Sequence, residues 1–362
     1  MITKGKISTF QFYVMLFLSR TLTTVTYISS YTKDVRISDM LVQPIFRIVF
    51  GIIIMVPVYL LHKKYSNQNV LDVVRERSSK LSKFLSMFYV IAFFYFTVVT
   101  IARLDVFTGT VVFPETNVNF MLIFVIIFCC YGAYLGFEAL GRSSVLSAMM
   151  VLPAIAFILC ALVDKVDLLN LSPVFYNGVT PVIKTAIDSV GQTIEYAMIA
   201  IALPKVSGKK VKGFFVWLFS QTLLMAIMFF FAGAVMGNFA STQLFPFHTL
   251  ASLAEFTMFD RLDAIFTSVW IMCAFIKASL LIFLVTDILH KEFPRLKKTN
   301  YLVATGVLSV ILNLFIAGGI ERFSVIDNSI IKIVITVITV FIIPLLVLIF
   351  VRKRRTEKCA EC

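Results

Sequence analysis

Three stretches of this chain place polar groups where an apolar setting makes them costly. The first is Ser19-Arg20-Thr21-Leu22-Thr23-Thr24. The second runs from Asp188 through Ser189, Gly191, Gln192 and Thr193 to Glu195. The third is Lys277, alone in WIMCAFIKASLLIFLV. An ionisable side chain at membrane depth marks an ion pair, a proton carrier or a ligand contact. Hydroxyls also satisfy backbone groups freed where a helix unwinds. These residue types suit the recognition of a small charged molecule, with Glu195 or Lys277 able to carry a proton. Enzyme chemistry lacks its parts. His62, His248 and His290 have no metal spacing, no nucleophile stands beside a base, and no Gly-rich phosphate loop occurs. The chain reads as a non-enzyme without cofactor or metal. Cys359 and Cys362 form a lone C-x-x-C, short of the four ligands of a zinc site. Cys129, Cys130, Cys160 and Cys273 lie in apolar runs, as small hydrophobes.

The frame around these residues is a membrane bundle. The 362 residues are 59% hydrophobic and 15% charged, with a mean hydropathy of +0.94. Soluble chains hold roughly 45–50% apolar and ~25% charged residues. A membrane-crossing helix needs ~20 mostly apolar residues. Ten runs meet that need, at 8–32, 39–61, 83–104, 119–136, 144–163, 182–204, 213–236, 261–289, 300–317 and 330–351. The expected fold is an all-α polytopic membrane protein, one integral membrane domain over 1–362 with a tail at 352–362. No A-x-A-like cleavage site follows Lys4 and Lys6, so the start does not read as a cleaved signal.

Charge orients the bundle. With both termini cytoplasmic, 22 of the 33 Lys and Arg fall on inner segments and 8 on outer ones, including Lys33, Arg36, Arg103, Arg261 and Lys332. Arg20, Arg47 and Lys277 lie within spans, Arg47 near the outer end of the second. That alternation matches the positive-inside rule. It accounts for the net charge of +13 without nucleic acid. Asn69 is a plausible cap for a short interfacial helix whose Val70, Leu71, Val73 and Val74 face lipid. The turn-rich outer loop 164–181, with Pro173, Asn177 and Pro181, is placed to cover an outer cavity. The pairs Gly132/Gly136 and Gly233/Gly237 permit close helix packing.

Spans 1 and 6 are the imperfect ones. Arg20 and its hydroxyl neighbours predict an interruption of span 1. The alternative there is a continuous helix whose hydroxyls bond back to its own carbonyls. In span 6, Gly191 is a poor helix residue amid Asp188, Gln192, Thr193 and Glu195, and a break is expected. Glu195 stands nine residues before Pro204, near mid-depth, either neutral or paired with Lys277. Five spans per half force the halves, about 8–163 and 182–351, into opposite orientations. Interrupted helices at matching positions of inverted repeats point to a midplane site. Half-helix ends offer N–H groups to a carboxylate and carbonyls to an ammonium, so such a cavity suits an amino acid.

Three segments resemble the B subunits of bacterial spore germinant receptors, the spore permease family of the amino acid–polyamine–organocation superfamily. They are Lys6-Ile7-Ser8-x-x-Gln11, the segment Tyr65–Val74, and FPFHTLASLAEFTMFDRLDAIFTSVWIMCAFIKASLLIF. In the last, the resemblance is carried by Phe245, Pro246, Leu250, Arg261, Asp263, Trp270, Lys277 and Ser279. The resemblance implies a leucine-transporter-like fold with a 5+5 inverted repeat. It also implies residence in the spore inner membrane, with A and C subunits as partners. Its ligand site uses spans 1, 3, 6 and 8: Ser19, Arg20, Thr21, Thr23 and Thr24, then Thr97 and Thr100, then Gly191, Gln192 and Glu195, then Lys277. One departure is that span 1 lacks the glycine-rich break of true transporters. The expected function is a germination receptor subunit that binds a small germinant, an amino acid, and signals to its partners. The alternatives are a proton-coupled amino-acid symporter, an ion or water conduit, and a scaffold without a ligand.

Overall fold

The structure, a computed structural model, describes residues 6–26, 37–65, 68–112, 119–173, 175, 178–255, 262–316 and 320–350. Lys4, Lys33, Arg36, Asn177, Arg261 and the tail with Cys359 and Cys362 lie outside them.

Among the described residues, the regular structure is helical apart from one short strand pair. In order, the α-helices are α1 (Thr9–Val25), α2 (Gln43–Lys64), α3 (Val70–Arg75), α4 (Ser79–Phe107), α5 (Asn119–Leu135), α6 (Phe137–Cys160), α7 (Val179–Gly191) and α8 (Glu195–Ala202). They continue with α9 (Lys210–Phe231), α10 (Pro246–Ser252), α11 (Asp263–Glu292), α12 (Lys298–Ile316), α13 (Ile320–Ile326), α14 (Ser329–Thr336) and α15 (Ile343–Phe350). Among the described residues, seven helical stretches are long and apolar enough to cross a membrane. They are Asp39–Lys64, Ser79–Val112, Phe137–Cys160, Lys210–Thr242, Asp263–Glu292, Lys298–Phe315 and Arg322–Phe350. α1, α5 and the pair α7–α8 are shorter. In the last stretch, α14 and α15 are joined by a π-helical turn, Val337–Ile342, one residue before Pro344. Proline has no N–H for the preceding turn, and the wider turn absorbs that loss.

The span 1 expectation is overturned at Ser19–Thr24. α1 is continuous from Thr9 to Val25. Its hydroxyls bond backwards, Thr21 Oγ1 to Phe17 O at 2.8 Å and Thr24 Oγ1 to Arg20 O at 3.4 Å. An i−4 carbonyl bond makes a threonine self-sufficient in a helix, so a hydroxyl cluster alone does not open the backbone. The motif Ser8-x-x-Gln11 is a capping box that starts this helix, with Gln11 N donating to Ser8 Oγ and Ser8 N donating to Gln11 Oε1.

α11 forms the axis of the bundle, packed by α1, α4, α5, α6 and α12. On the other side α2 packs against α7 and α9. β1 (Ile7–Ser8) pairs in parallel with β2 (Val206–Ser207), tying the start of α1 to the connection between α8 and α9. α3 has the expected Asn69 cap, in a capping box with Asp72. Its Val70, Leu71, Val73 and Val74 are buried in protein, packed toward α4, rather than turned to lipid. Gly132 does pack closely, since an added Cβ would stand 2.8 Å from Ser279 Oγ. Gly136 instead makes the one-residue turn between α5 and α6 at φ 93°, in open space. Gly237 likewise has a positive φ, 53°, and lies against Asn170 of the connection between α6 and α7. That connection is anchored by Asn170 Nδ2 to Ala234 O at 2.9 Å and by Phe175 N to Asp39 Oδ1 at 2.6 Å.

Candidate functional site

The predicted break of span 6 is present. α7 stops at Gly191, and α8 begins at Glu195 after Gln192, Thr193 and Ile194. An interrupted helix exposes carbonyls that must find donors. Gln192 N and Thr193 N close the last turn on Asp188 O and Val190 O, both at 2.9 Å. The remaining carbonyls are taken by side chains: Thr193 Oγ1 donates to Ser189 O at 2.7 Å, and other helices supply the rest. Arg20 Nη2 donates to Ser189 O at 3.2 Å and to Ser189 Oγ at 2.8 Å, while Nη1 reaches Gln192 O at 3.2 Å. Thr336 Oγ1 of α14 donates to Gly191 O at 2.7 Å. A guanidinium at a helix C-terminus also faces the negative end of the dipole. Arg20 is therefore the residue of α1 that holds the break of span 6.

Glu195, in the first turn of α8, accepts from Ser19 Oγ at 2.6 Å and from Lys277 Nζ at 3.1 Å, all through Oε1. Lys277 Nζ also donates to Thr23 Oγ1 at 2.8 Å. Glu195 and Lys277 are buried. The predicted pair thus joins spans 1, 6 and 8. A second ion cluster sits across the break. Arg103 Nη2 donates to Asp327 Oδ2 at 2.8 Å and to Gln192 Oε1 at 3.3 Å, and Lys332 Nζ donates to Asp327 Oδ1 at 3.0 Å. Arg103 and Lys332 are buried rather than in outer loops, because α4 extends to Phe107 and α14 begins at Ser329. Arg47, expected near an interface, is fully buried. Its Nη1 lies 3.7 Å from Met225 Sδ, while Nε and Nη2 have no partner among the described residues.

Charge in this layer is unbalanced. Among the described residues, Arg20, Arg47, Arg103, Lys277 and Lys332 are buried near two carboxylates, Glu195 and Asp327, while buried Asp39 bonds to Phe175 N and buried Glu292 to Arg75. Half-buried Asp188 adds one negative group at the edge. Buried cations in such excess favour a negative ligand group.

Between α1, α2, α4 and α7 lies a cavity of about 60 Å³, with Arg20, Arg103, Asp188, Ser189 and Gln192 in its wall. The Nε groups of Arg20 and Arg103 are buried without a partner among the described residues. Thr23 and Thr24 line it as well. A smaller void of about 10 Å³ adjoins Thr23, Thr100, Lys277 and Lys332. The other predicted residues are placed elsewhere. Thr97 bonds to Phe93 O at 2.8 Å and lines neither space. Thr21 accepts from Gln221 Nε2 at 3.1 Å, on the α9 side. Gly191 faces α14, where a Cβ would stand 2.4 Å from Ile333 Cγ1. Sequence reasoning missed Arg103, Asp327 and Lys332 as site residues, since each borders an apolar run and reads as a loop charge. The available signal was Asp327 and Lys332 bracketing the start of a span.

A family profile described as "Spore germination protein" matches residues 6–318. The chain is similar to spore germination protein KB of Bacillus subtilis (strain 168), with 24% identity over 293 residues, covering 77% of this chain and 78% of that protein. Among solved structures, it resembles the substrate-bound outward-open state of a Na+-coupled sialic acid symporter. The TM-score is 0.64 at 13% identity, covering 93% of this chain and 80% of the symporter. It also resembles MhsT in complex with L-phenylalanine, with TM-score 0.60 at 13% identity, covering 93% and 88%. These two likenesses show a leucine-transporter-like fold. With most of its length matched, the chain belongs to the spore permease family of spore germination proteins.

Proposed function

We propose that this protein is a germinant-sensing subunit that binds a small amino acid in the cavity beside the break of span 6. The reading takes α1, α5 and the pair α7–α8 as further crossings, ten in all, forming inverted repeats at about 8–163 and 182–351. It places the protein in the spore inner membrane with cytoplasmic termini, acting on A and C subunits.

The observation that carries it is the meeting of Arg20 and Arg103 at Gln192, in the wall of a cavity at the broken helix. The unpartnered Nε groups suit a carboxylate, and Asp188 suits an ammonium. With ~10–15 Å³ needed per water-sized position, about 60 Å³ offers room for the head group of a small amino acid. Binding would signal only if the ligand prefers one arrangement of the α7–α8 break over another. The test is thermal unfolding of purified protein against the amino acids. A ligand at 100 times its Kd adds about 2.7 kcal/mol of stability. Shifts from one or a few small amino acids, lost in Thr24→Trp, are expected. Equal response of the Thr24→Trp chain, or no response to any amino acid, would exclude the site.

A second reading, a proton-coupled symporter, is favoured by the buried Lys277–Glu195 pair at 3.1 Å. Concentrative, pH-driven amino-acid uptake by the isolated chain in vesicles selects it; binding without uptake selects the sensor.

A further inference from the structure

We infer that the crevice between α2 and α9 binds one acyl chain of an anionic phospholipid, with its headgroup held at Lys210. The site is separate from the amino-acid cavity and does not rest on it.

The crevice measures about 370 Å³, and its walls include Met55, Val56, Ile199, Leu203 and Phe214. It lies between two of the membrane-crossing stretches, Asp39–Lys64 and Lys210–Thr242. An apolar void opening onto hydrocarbon forfeits dispersion contacts unless a chain fills it. Its composition changes at one end, where Tyr59, His62 and Lys210 complete the lining. No lining residue is acidic. His62 Nδ1 is buried without a partner among the described residues.

That end is the basic end of the bundle. Lys63 and Lys64 close α2, while Lys209 and Lys212 flank Lys210. Lys6 directly precedes β1, which pairs with Val206–Ser207 just before α9. Tyr13 Oη donates to Lys210 O at 2.9 Å, so the backbone beneath this lysine is fixed to α1. A basic pocket between transmembrane helices at a membrane surface suits an anionic headgroup. Apolar walls in the hydrocarbon and lysine at the surface are the arrangement a single phospholipid requires. Ile199 belongs to α8 and Leu203 directly follows it, so a bound chain also packs against the segment that follows the break at Gly191–Glu195.

The readout is fluorescence. Trp217 packs against Phe214, with ring centroids 6.0 Å apart and the rings tilted by 41°, and Phe214 is a wall of the crevice. In a Trp270→Phe chain Trp217 is the sole tryptophan. Reconstitute that chain in phosphatidylcholine containing a minor fraction of either chain-brominated phosphatidylglycerol or chain-brominated phosphatidylcholine. We expect at least twofold stronger quenching by the anionic lipid, and a ratio near one after Lys210→Gln with His62→Gln. A ratio near one in the parent chain, or a preference that survives both substitutions, overturns the site. Native mass spectrometry of the unsubstituted full-length chain gives the same decision without Trp270→Phe. Retained phosphatidylglycerol lost with Lys210→Gln and His62→Gln supports the site; equal retention of both lipids overturns it.

Discussion

Arg20 of α1 donates to both the carbonyl and the hydroxyl of Ser189 on α7, at 3.2 and 2.8 Å. Two helices far apart in sequence are thereby locked at the point where span 6 breaks. The cation that occupies the carbonyls of the half-helix belongs to the protein itself. Arg20→Met should leave Ser189 O and Gln192 O without this donor and cost about 2–4 kcal/mol. Arg20→Lys should restore part of that loss. Unfolding of purified protein in mixed micelles checks the order.

The ion pair between Lys277 and Glu195 is buried on both sides. Removing one partner leaves a lone charge, so Lys277→Met alone should cost about 3–5 kcal/mol. Lys277→Met combined with Glu195→Gln should be milder than the sum by at least about 1 kcal/mol. Additive losses in a double-mutant cycle would contradict the pair.

Gly191→Ala gives a direct test of packing at the break. On an isolated helix the change would gain up to about 1 kcal/mol. Here the new methyl meets Ile333 Cγ1 at 2.4 Å and Ile333 Cα at 2.9 Å. A net loss of about 1–3 kcal/mol is expected from overpacking. Ile333→Ala should relieve only part of it, because backbone also stands in the way. Thermal unfolding of the single and double variants measures this.

Tyr196 offers the opposite sign. Its hydroxyl is buried with no partner among the described residues. It would stand 2.3 Å from a Cβ at Gly51. Tyr196→Phe should therefore be neutral or stabilising by up to about 1 kcal/mol. Gly51→Ala should destabilise the parent chain and be tolerated better beside Tyr196→Phe. Equal penalties in both backgrounds would refute the contact.

Legibility in the sequence varied by element. The break of span 6 was readable because Gly191, with no Cβ, lies among residues that favour caps and turns. The break expected in span 1 was a misreading. Ser19–Thr24 has comparable polarity, but its threonines close bonds within their own helix, and Arg20 spends its donors on α7. Lys277 donates to Thr23, a contact the sequence did not suggest, while Thr97 and Gly191 turn away from the cavity. Arg103, Asp327 and Lys332 read as edge charges because hydropathy marks where a run ends, not where the helix ends.

By itself, the amino-acid sequence determined the membrane class, the interruption near Gly191 and the chemistry of Glu195 and Lys277. These follow from composition, helix propensity and the cost of a charge in hydrocarbon, which are local properties. Only the tertiary structure decided which cation holds the broken helix, which carboxylate pairs with which lysine, and where a cavity remains. Those outcomes depend on helix packing that brings residues such as Arg20 and Ser189 together from positions 169 apart in the chain, and no local pattern encodes that distance.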